Sequence, residues 1–228
     1  MIVIVGSPAW RVAGPPGPAG RGCGIALAAA ALGSRVELVG RVGEDAPGET
    51  LLIALARAGV GHAAVLRDPT QPTLLVDRPP AASDDDDSSP FSESAPTRIS
   101  AAEAASSAGG RLEGADVELA VRYIEPSGVL VVAEDVSADV LAAAVSAAGY
   151  AQLRLVVLLG PSDGAPRPVP AGLPEDATVL AAPDDSDGAG AFEALVAAYA
   201  VALDSGSGHA EAFSAAQIAT GWETALAD

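Results

Sequence analysis

The sequence predicts an α/β fold, a three-layer αβα sandwich with a mostly parallel sheet. Strand and helix patterns alternate along most of the chain, which is typical of a parallel sheet covered by helices on both faces. The strand patterns are short, continuous apolar runs, as expected for strands buried on both faces. A chain of 228 residues suits one domain with a real core, so we interpret residues 1–228 as a single domain.

The first half of the chain opens on a strand. Residues 2–6 are a β-branched run that ends in glycine, and the Pro- and Gly-rich residues 13–20 predict a loop. An Ala-rich helix follows over residues 25–32, and Gly33 stands where a C-cap glycine is expected. The remaining predicted elements of this half are a strand at 35–39, a glycine-rich loop at 40–48, a helix at 49–58, and strands at 63–66 and 73–76.

The second half begins with an acidic segment. Residues 79–97 are rich in Pro, Ser and Asp, with four consecutive Asp residues at 84–87, which predicts a flexible loop. Four adjacent carboxylates do not converge on one cation, so we predict no metal site there. The later predicted elements are a helix at 100–112, a strand at 129–133, a helix at 138–148, strands at 153–159 and 178–180, and helices at 188–203 and 210–225.

Composition excludes several chemistries. All twelve cationic side chains are Arg, because the sequence contains no Lys, and it contains no Asn either. A phosphate loop of the Walker type and Schiff-base catalysis both need a lysine. Aromatic residues are 4% of the chain, so the core must be built from Ala, Val and Leu.

The charge balance excludes further partners. Thirty acidic residues against twelve Arg give a net charge of −18, which would repel nucleic acid and anionic membrane surfaces. No apolar run reaches the length of a membrane span, and the first residues lack the basic start of a signal peptide. With a single cysteine, Cys23, no internal disulfide forms. We therefore expect a soluble, cytoplasmic protein.

A first motif runs from the loop before the first helix to the loop after the second strand. It reads Ala-Gly-Arg-Gly-Cys-Gly-Ile-Ala over 19–26; six residues then separate Ala26 from Gly33, and nine residues separate Gly33 from Gly43. Gly-Arg-Val-Gly-Glu-Asp follows over 40–45, then Gly48 and a Leu-rich helix. This pattern resembles the ribokinase-like, or PfkB-type, carbohydrate kinases at fixed spacing. The resemblance implies substrate-cleft positions at Gly20, Gly22, Gly24, Gly40 and Asp45.

A second motif precedes the long Ala-rich helix near the end of the chain. Asp-Ser-Asp-Gly-Ala-Gly-Ala-Phe over 185–192 resembles the Asp-Thr-Thr-Gly-Ala-Gly-Asp-Ala-Phe of that family. There, backbone N–H groups at a helix N-terminus form an anion hole and the Asp after the glycines is the base. The resemblance thus implies an anion or nucleotide site at Gly188, Ala189 and Gly190. The alternative is a helix start whose glycines serve close packing.

The same resemblance fails at the positions that carry the chemistry. No alignment of the second motif supplies the catalytic Asp, since its place is deleted or falls on Ala191 or Gly190. Asp185 and Asp187 are the substitutes the sequence offers, although Asp187 also suits an N-cap. The family's sugar-binding Asn falls on Gly24 and its early Asp near Arg11.

Two elements of the family plan are also expected to be absent. The Asn-containing element that places magnesium cannot exist without Asn. The loop between Gly6 and Gly20 is too short for the usual small β lid, so we expect a trimmed ribokinase-like fold lacking that lid.

Three functions remain open. The first is a degenerate carbohydrate kinase homologue, a pseudokinase without phosphotransfer that retains binding of a small molecule or a protein. The second is an active sugar or nucleoside kinase that uses ATP and magnesium with a rearranged base. The third is an oligomeric partner-binding module, a homodimer in the simplest case, because sheet edges left open by a missing lid need covering.

Overall fold

The computed structural model describes residues 1–76, 112–124, 128–134, 136–160, 168–182 and 190–222. Its centre is a six-stranded sheet in which every neighbouring pair is parallel. The strands, in the order β5-β4-β1-β7-β8-β9, are β1 (Ile2–Val5), β4 (Val36–Gly43), β5 (Gly61–Asp68), β7 (Val129–Val132), β8 (Arg154–Leu159) and β9 (Thr178–Ala181). This confirms the predicted α/β class.

Helices cover both faces of this sheet. They are α1 (Arg21–Ala31), α2 (Ala46–Arg57), α3 (Gly114–Tyr123), α4 (Ala138–Ala151), α5 (Ala191–Asp204) and α6 (His209–Thr220). One core joins α1, α2, α5 and α6 to side chains such as Ile2 and Ile4 of β1. A second core joins α3 and α4 to Val3 and Val5, because successive side chains of a strand point to opposite faces. The three-layer αβα arrangement is confirmed.

The core is light, as the composition predicted. Its buried side chains are mainly Ala, Val, Leu and Ile, and in the described ranges the only buried aromatic residues are Phe192 and Tyr199. Phe192 packs against Trp222 at 5.9 Å between ring centroids, so the chain after α6 is fixed to the core.

The expectation that the small β sheet is missing is wrong. Three short strands, β2 (Ala9–Arg11), β3 (Gly17–Ala19) and β6 (Leu74–Val76), form a separate sheet in the order β3-β2-β6. Residues 13–20 are therefore not all loop. Pro18 is tolerated because β3 is an edge strand, with β2 as its one partner in the described ranges. The third strand comes from a distant segment, so the short loop after β1 does not limit the sheet.

Other boundaries differ from the predictions. Residues 40–43 belong to β4 rather than to a loop, because they pair with residues 65–68 of β5. Helix α3 was not predicted at all. The predicted acidic loop 79–97 and the residues 100–111 of a predicted helix lie outside the described residues. Within the part of the chain that is described, no helix is long and apolar enough to span a membrane.

Candidate functional site at the carboxyl edge of the sheet

The candidate site lies where the first turns of α1 and α5 meet. In a parallel sheet with helical crossovers, the strand ends and the following helix N-termini share one edge, and open α/β sheets bind ligands there. Helix α1 starts after Gly20 and α5 after Gly190, two glycines that supply no side chain to cap the helices they precede. Their first N–H groups lack helical partners and carry partial positive charge.

Three of the predicted cleft glycines allow close packing of backbone. Gly20 has φ +88°, and a Cβ on it would lie 2.7 Å from the Ser7 carbonyl oxygen. A Cβ on Gly22 would be 3.4 Å from Gly6 Cα, and one on Gly40 would be 2.6 Å from the Gly6 carbonyl oxygen. These glycines bring α1 and β4 against the turn that follows β1.

Gly24 of α1 faces the side chain of Glu193 from α5. A Cβ on Gly24 would lie 2.9 Å from Glu193 Cγ, 3.3 Å from its Cβ and 3.8 Å from its Cδ. The Glu193 side chain therefore covers the space above position 24. Its carboxylate also reaches back over its own helix start, with Oε2 3.8 Å from the place of a Cβ on Gly190.

Arg21 is the cationic partner of Glu193. Its Nε lies 3.9 Å from Glu193 Oε1, an ion pair without a hydrogen bond, and about a fifth to a quarter of each side chain is exposed. The guanidinium carbon lies 5.8 Å from the centre of the Phe192 ring. Its Nε is buried and has no hydrogen-bond partner among the described residues.

The Asp45 carboxylate is fully occupied by hydrogen bonds at the start of α2. As the N-cap it accepts hydrogen bonds from Gly48 N–H and Thr73 N–H, both at 2.9 Å, and from the Thr73 hydroxyl. Burial by itself would raise the pKa of Asp45, but these hydrogen bonds outweigh it and lower the pKa below its usual value. Thr73 Oγ1 in turn accepts the Gly43 N–H at 2.9 Å, so Asp45 has a structural role joining α2 to the chain before β6.

Cys23 is a core residue. Its side chain is fully buried. Burial above all, with the negative charge of Glu134 adding to it, raises the pKa of the Cys23 thiol to about 12. The thiol is therefore protonated and unreactive near neutral pH.

Comparison with known proteins matches one segment of the chain to a sequence family. Residues 16–76 match the sequence profile of the pfkB family carbohydrate kinases. No curated protein matches the sequence significantly.

Solved structures match over almost the whole chain. A PfkB protein from Polaromonas is 18% identical, with a TM-score of 0.62 over 94% of this chain and 92% of that one. A putative ribokinase II from E. coli, in complex with ATP and Mg²⁺, is 14% identical, with a TM-score of 0.63 over 94% and 89%. Ribokinase from Arabidopsis thaliana, complexed with ribose and ATP, is 18% identical, with a TM-score of 0.59 over 96% and 90%.

This chain has the ribokinase-like fold. The resemblance stated from the first motif is thereby confirmed, because that motif lies inside the matched segment. The second motif is only partly described. Asp185, Asp187, Gly188 and Ala189 lie outside the described residues, while Gly190 is the N-cap of α5 with φ +71°.

Magnesium, which the ribokinase-like fold implies for an active kinase, lacks a matching donor set in the described residues. Those residues contain no group of three or more His, Cys, Asp or Glu side chains that could hold a metal ion. Glu193, the acidic residue in the first turn of α5, is paired with Arg21.

Two clefts lie elsewhere on the molecule. One, of about 530 Å³, lies between the start of α3 and α4 and is lined by Glu113, Glu118 and Asp139 among others. The other, of about 390 Å³, lies between α2 and β5. Neither contains a predicted site residue.

Sequence reasoning missed three residues of this site. Glu193 and Arg21 lie within or beside the two motifs but are not among the family positions considered, and Thr73 is one threonine of a strand pattern. The sequence did offer a signal for the first two, because Arg21 is a charged residue between two motif glycines and Glu193 directly follows the motif residue Phe192.

Proposed function

We propose that this chain is a ribokinase-like protein without phosphotransfer activity, whose carboxyl edge binds a small molecule or another protein. The observation that carries the proposal is the first turn of α5. The first residue of that helix is Ala191, so the place that the resemblance assigns to the base carries no acid. A missing general base alone costs about 10²–10⁴ in rate, so a complete loss of phosphotransfer also requires the changes on the sugar side of the site.

The sugar side of the site supports the same proposal. Gly24 supplies no side chain where the resemblance implies an Asn, and the Glu193 stem covers that position. Arg11, near the place of the early Asp, is instead a β2 residue whose guanidinium donates to the Pro18 carbonyl oxygen at 3.4 Å. Two hydroxyl-binding side chains of the family plan are thus replaced.

The test is a phosphotransfer assay with ATP and Mg²⁺ over a panel of sugars and nucleosides. We expect no turnover above the uncatalysed background, with the Arabidopsis ribokinase and ribose as the positive control. Turnover of any acceptor would contradict the proposal. Calorimetry with ATP, ADP and the same sugars then measures binding independently of chemistry.

A second candidate is an active kinase with a rearranged base. Glu193 favours it, because it is a partly exposed carboxylate in the first turn of α5. If Glu193 were the base, Glu193→Gln would abolish a turnover that the wild-type chain shows. An unchanged rate in Glu193→Gln would reject Glu193 and leave Asp185 and Asp187 to be tested by alanine substitution.

Self-association is a third candidate. Strand β5 is an edge of the six-stranded sheet, and six of its eight residues pair with β4 on one side. An edge strand without a second partner among the described residues invites pairing with a second copy. Light scattering over a range of concentrations should then give a dimer, and a strictly monomeric species at high concentration would contradict this candidate.

A further inference from the structure

The exposed face of α2 carries a stripe in which one apolar residue lies midway between two opposite charges. Glu49, Ile53 and Arg57, here called the α2 stripe, follow at four-residue spacing and so lie on one face of the helix. All three side chains are exposed, Ile53 to 46%. Glu49 and Arg57 are about 12 Å apart along the helix axis, too far to pair with each other. Neither forms an ion pair with any residue that the structure describes.

The α2 stripe is complementary to a second copy of itself. In a two-fold interface the same patch of both copies is used, so residue i meets residue j and j meets i. If two α2 helices lie antiparallel with Ile53 on the axis, Glu49 of each copy lies opposite Arg57 of the other, because both are four residues from Ile53. One contact then joins two apolar side chains and forms two pairs of opposite charge.

Residues beside the stripe favour close approach of the two helices. Thr50 and Ala56 are each three residues from Ile53, so the same arrangement places these small residues opposite each other. The Thr50 hydroxyl already donates to a carbonyl oxygen of its own helix at 2.8 Å, so covering it leaves this donor paired. The cleft of about 390 Å³ between α2 and β5, lined by Ile53 and by the buried Leu52 and Val65 among others, adds an apolar recess beside the axis.

The charge of the chain favours this face over its acidic ones as a contact between copies. A net charge of −18 makes two copies repel each other. The α2 stripe contributes one negative and one positive side chain, and the two-fold arrangement brings only opposite charges together. Strand β5, which lines the same cleft, is an edge of the large sheet and is available to extend the contact.

We propose that two copies of this chain associate through the α2 stripe, with their α2 helices antiparallel about a two-fold axis at Ile53. This inference rests on the self-association candidate of the proposed function and names the surface that it uses. Each copy contributes a single exposed apolar side chain to the stripe, so the dimer is weak and depends on concentration.

Sedimentation equilibrium from about 1 µM to 1 mM chain measures the dissociation constant of the dimer. Arg57→Glu and Glu49→Arg should each raise this constant about tenfold, because the symmetry turns two attractive contacts into two repulsive ones. The double variant with both changes restores opposite charges and should return the constant to within about threefold of wild type. Arg122→Glu and Glu118→Arg are the matched controls, since they make the same charge changes at exposed positions of α3 and should leave the constant unchanged.

The double variant also separates association from an effect on helix stability. Glu49 is in the first turn of α2 and Arg57 in the last, where their charges suit the helix dipole. Reversing both charges therefore opposes the dipole at both ends, so urea unfolding should show the lowest stability in the double variant. Dimerisation that returns in this variant cannot be explained by a more stable helix.

A cysteine on the axis tests the arrangement without changing charge. Ile53→Cys should form a disulfide between two copies on mild oxidation, because a residue on a two-fold axis meets its own counterpart. Ile218→Cys is the control, since Ile218 is 77% exposed on α6 and should give little cross-linked dimer on a non-reducing gel. The native Cys23 is fully buried and does not contribute.

A dimer that neither single charge variant weakens, or that the double variant fails to restore, would overturn the inference and leave self-association through another surface. Cross-linking of Ile53→Cys no greater than that of Ile218→Cys would overturn it as well. A wild-type chain that stays monomeric throughout the concentration range would contradict both the inference and the self-association candidate. Phosphotransfer is measured separately and is not affected by any of these outcomes.

Discussion

At the scale of single residues, Asp45 couples folding to pH. Its pKa is lowered in the folded chain, so its hydrogen bonds stabilise the fold fully above the usual value of 3.8. That contribution is lost as the pH falls through the lower, folded-state pKa. Asp45→Asn should lower the free energy of unfolding at pH 7 by about 1 kcal/mol, because the amide NH2 group that replaces one carboxylate oxygen cannot accept the Thr73 N–H, and by less at pH 3.

Urea unfolding at both pH values measures this difference. Asp176→Asn is the control, since Asp176 is exposed, and it should change neither the stability nor its pH dependence. An equal loss at pH 3 and pH 7 for Asp45→Asn would show that the Asp45 carboxylate is not what links α2 to Thr73.

Cys23 gives a second pH-dependent property. Because burial raises the pKa of its thiol to about 12 from 9.0, the folded chain disfavours the thiolate. The associated stability is complete below pH 9 and is lost as the pH rises above it. Ellman's reagent at pH 8 should therefore label Cys23 only when the chain is unfolded in urea. Rapid labelling of the native protein would contradict the burial of this side chain.

At the scale of elements, glycine at position 40 lets β4 pass the turn after β1. A Cβ there would lie 2.6 Å from both the Gly6 carbonyl oxygen and Pro8 Cδ, neither of which is the end of a flexible side chain. Gly40→Ala should destabilise the fold by about 1–3 kcal/mol, as overpacked cores do.

Gly149 is the matched glycine for that test. It lies inside α4 with nothing within 4 Å of an added Cβ, so Gly149→Ala should stabilise the fold by up to about 1 kcal/mol through helix propensity. Urea midpoints of the two variants should shift in opposite directions. A neutral Gly40→Ala would mean that the turn after β1 yields easily.

Elements with a local signal were predictable from the sequence. Helix α1 follows from its Ala-rich run and Gly33, and β1 from its β-branched residues. The small sheet was not, because Trp10 pairs with Pro18 on one side and with the distant Leu75 on the other. Three-residue strands that depend on such pairing leave no periodic pattern.

The candidate site, like the fold, could be predicted from the sequence only where its residues follow a local pattern. The first motif marked Gly24 and the second marked the start of α5, and each has a fixed local spacing. That Glu193 lies against Gly24 depends on the packing of two helices separated by most of the chain. Neither sequence spacing nor composition predicts that contact, so the position of the Glu193 side chain over Gly24 is visible only in the structure.

At the scale of the whole molecule, the charge balance acts on stability. A net charge of −18 makes the compact state repel itself, and added salt screens that repulsion, with a Debye length of about 10 Å at 0.1 M. Short, partly buried ion pairs such as Arg41 with Asp116 at 2.8 Å stabilise the fold, and because they are partly buried, salt screens them less than it screens the repulsion between exposed charges.

We therefore expect the melting temperature to rise as NaCl increases from about 0.01 to 0.3 M, where the Debye length falls several-fold. Glu118→Gln should weaken this rise and Arg57→Gln should strengthen it, because both side chains are exposed and the two changes move the net charge in opposite directions. Differential scanning calorimetry of the three proteins over this range of NaCl concentrations measures the rise in melting temperature. A melting temperature that falls with salt would mean that ion pairs such as Arg41–Asp116 dominate the electrostatic free energy of the fold.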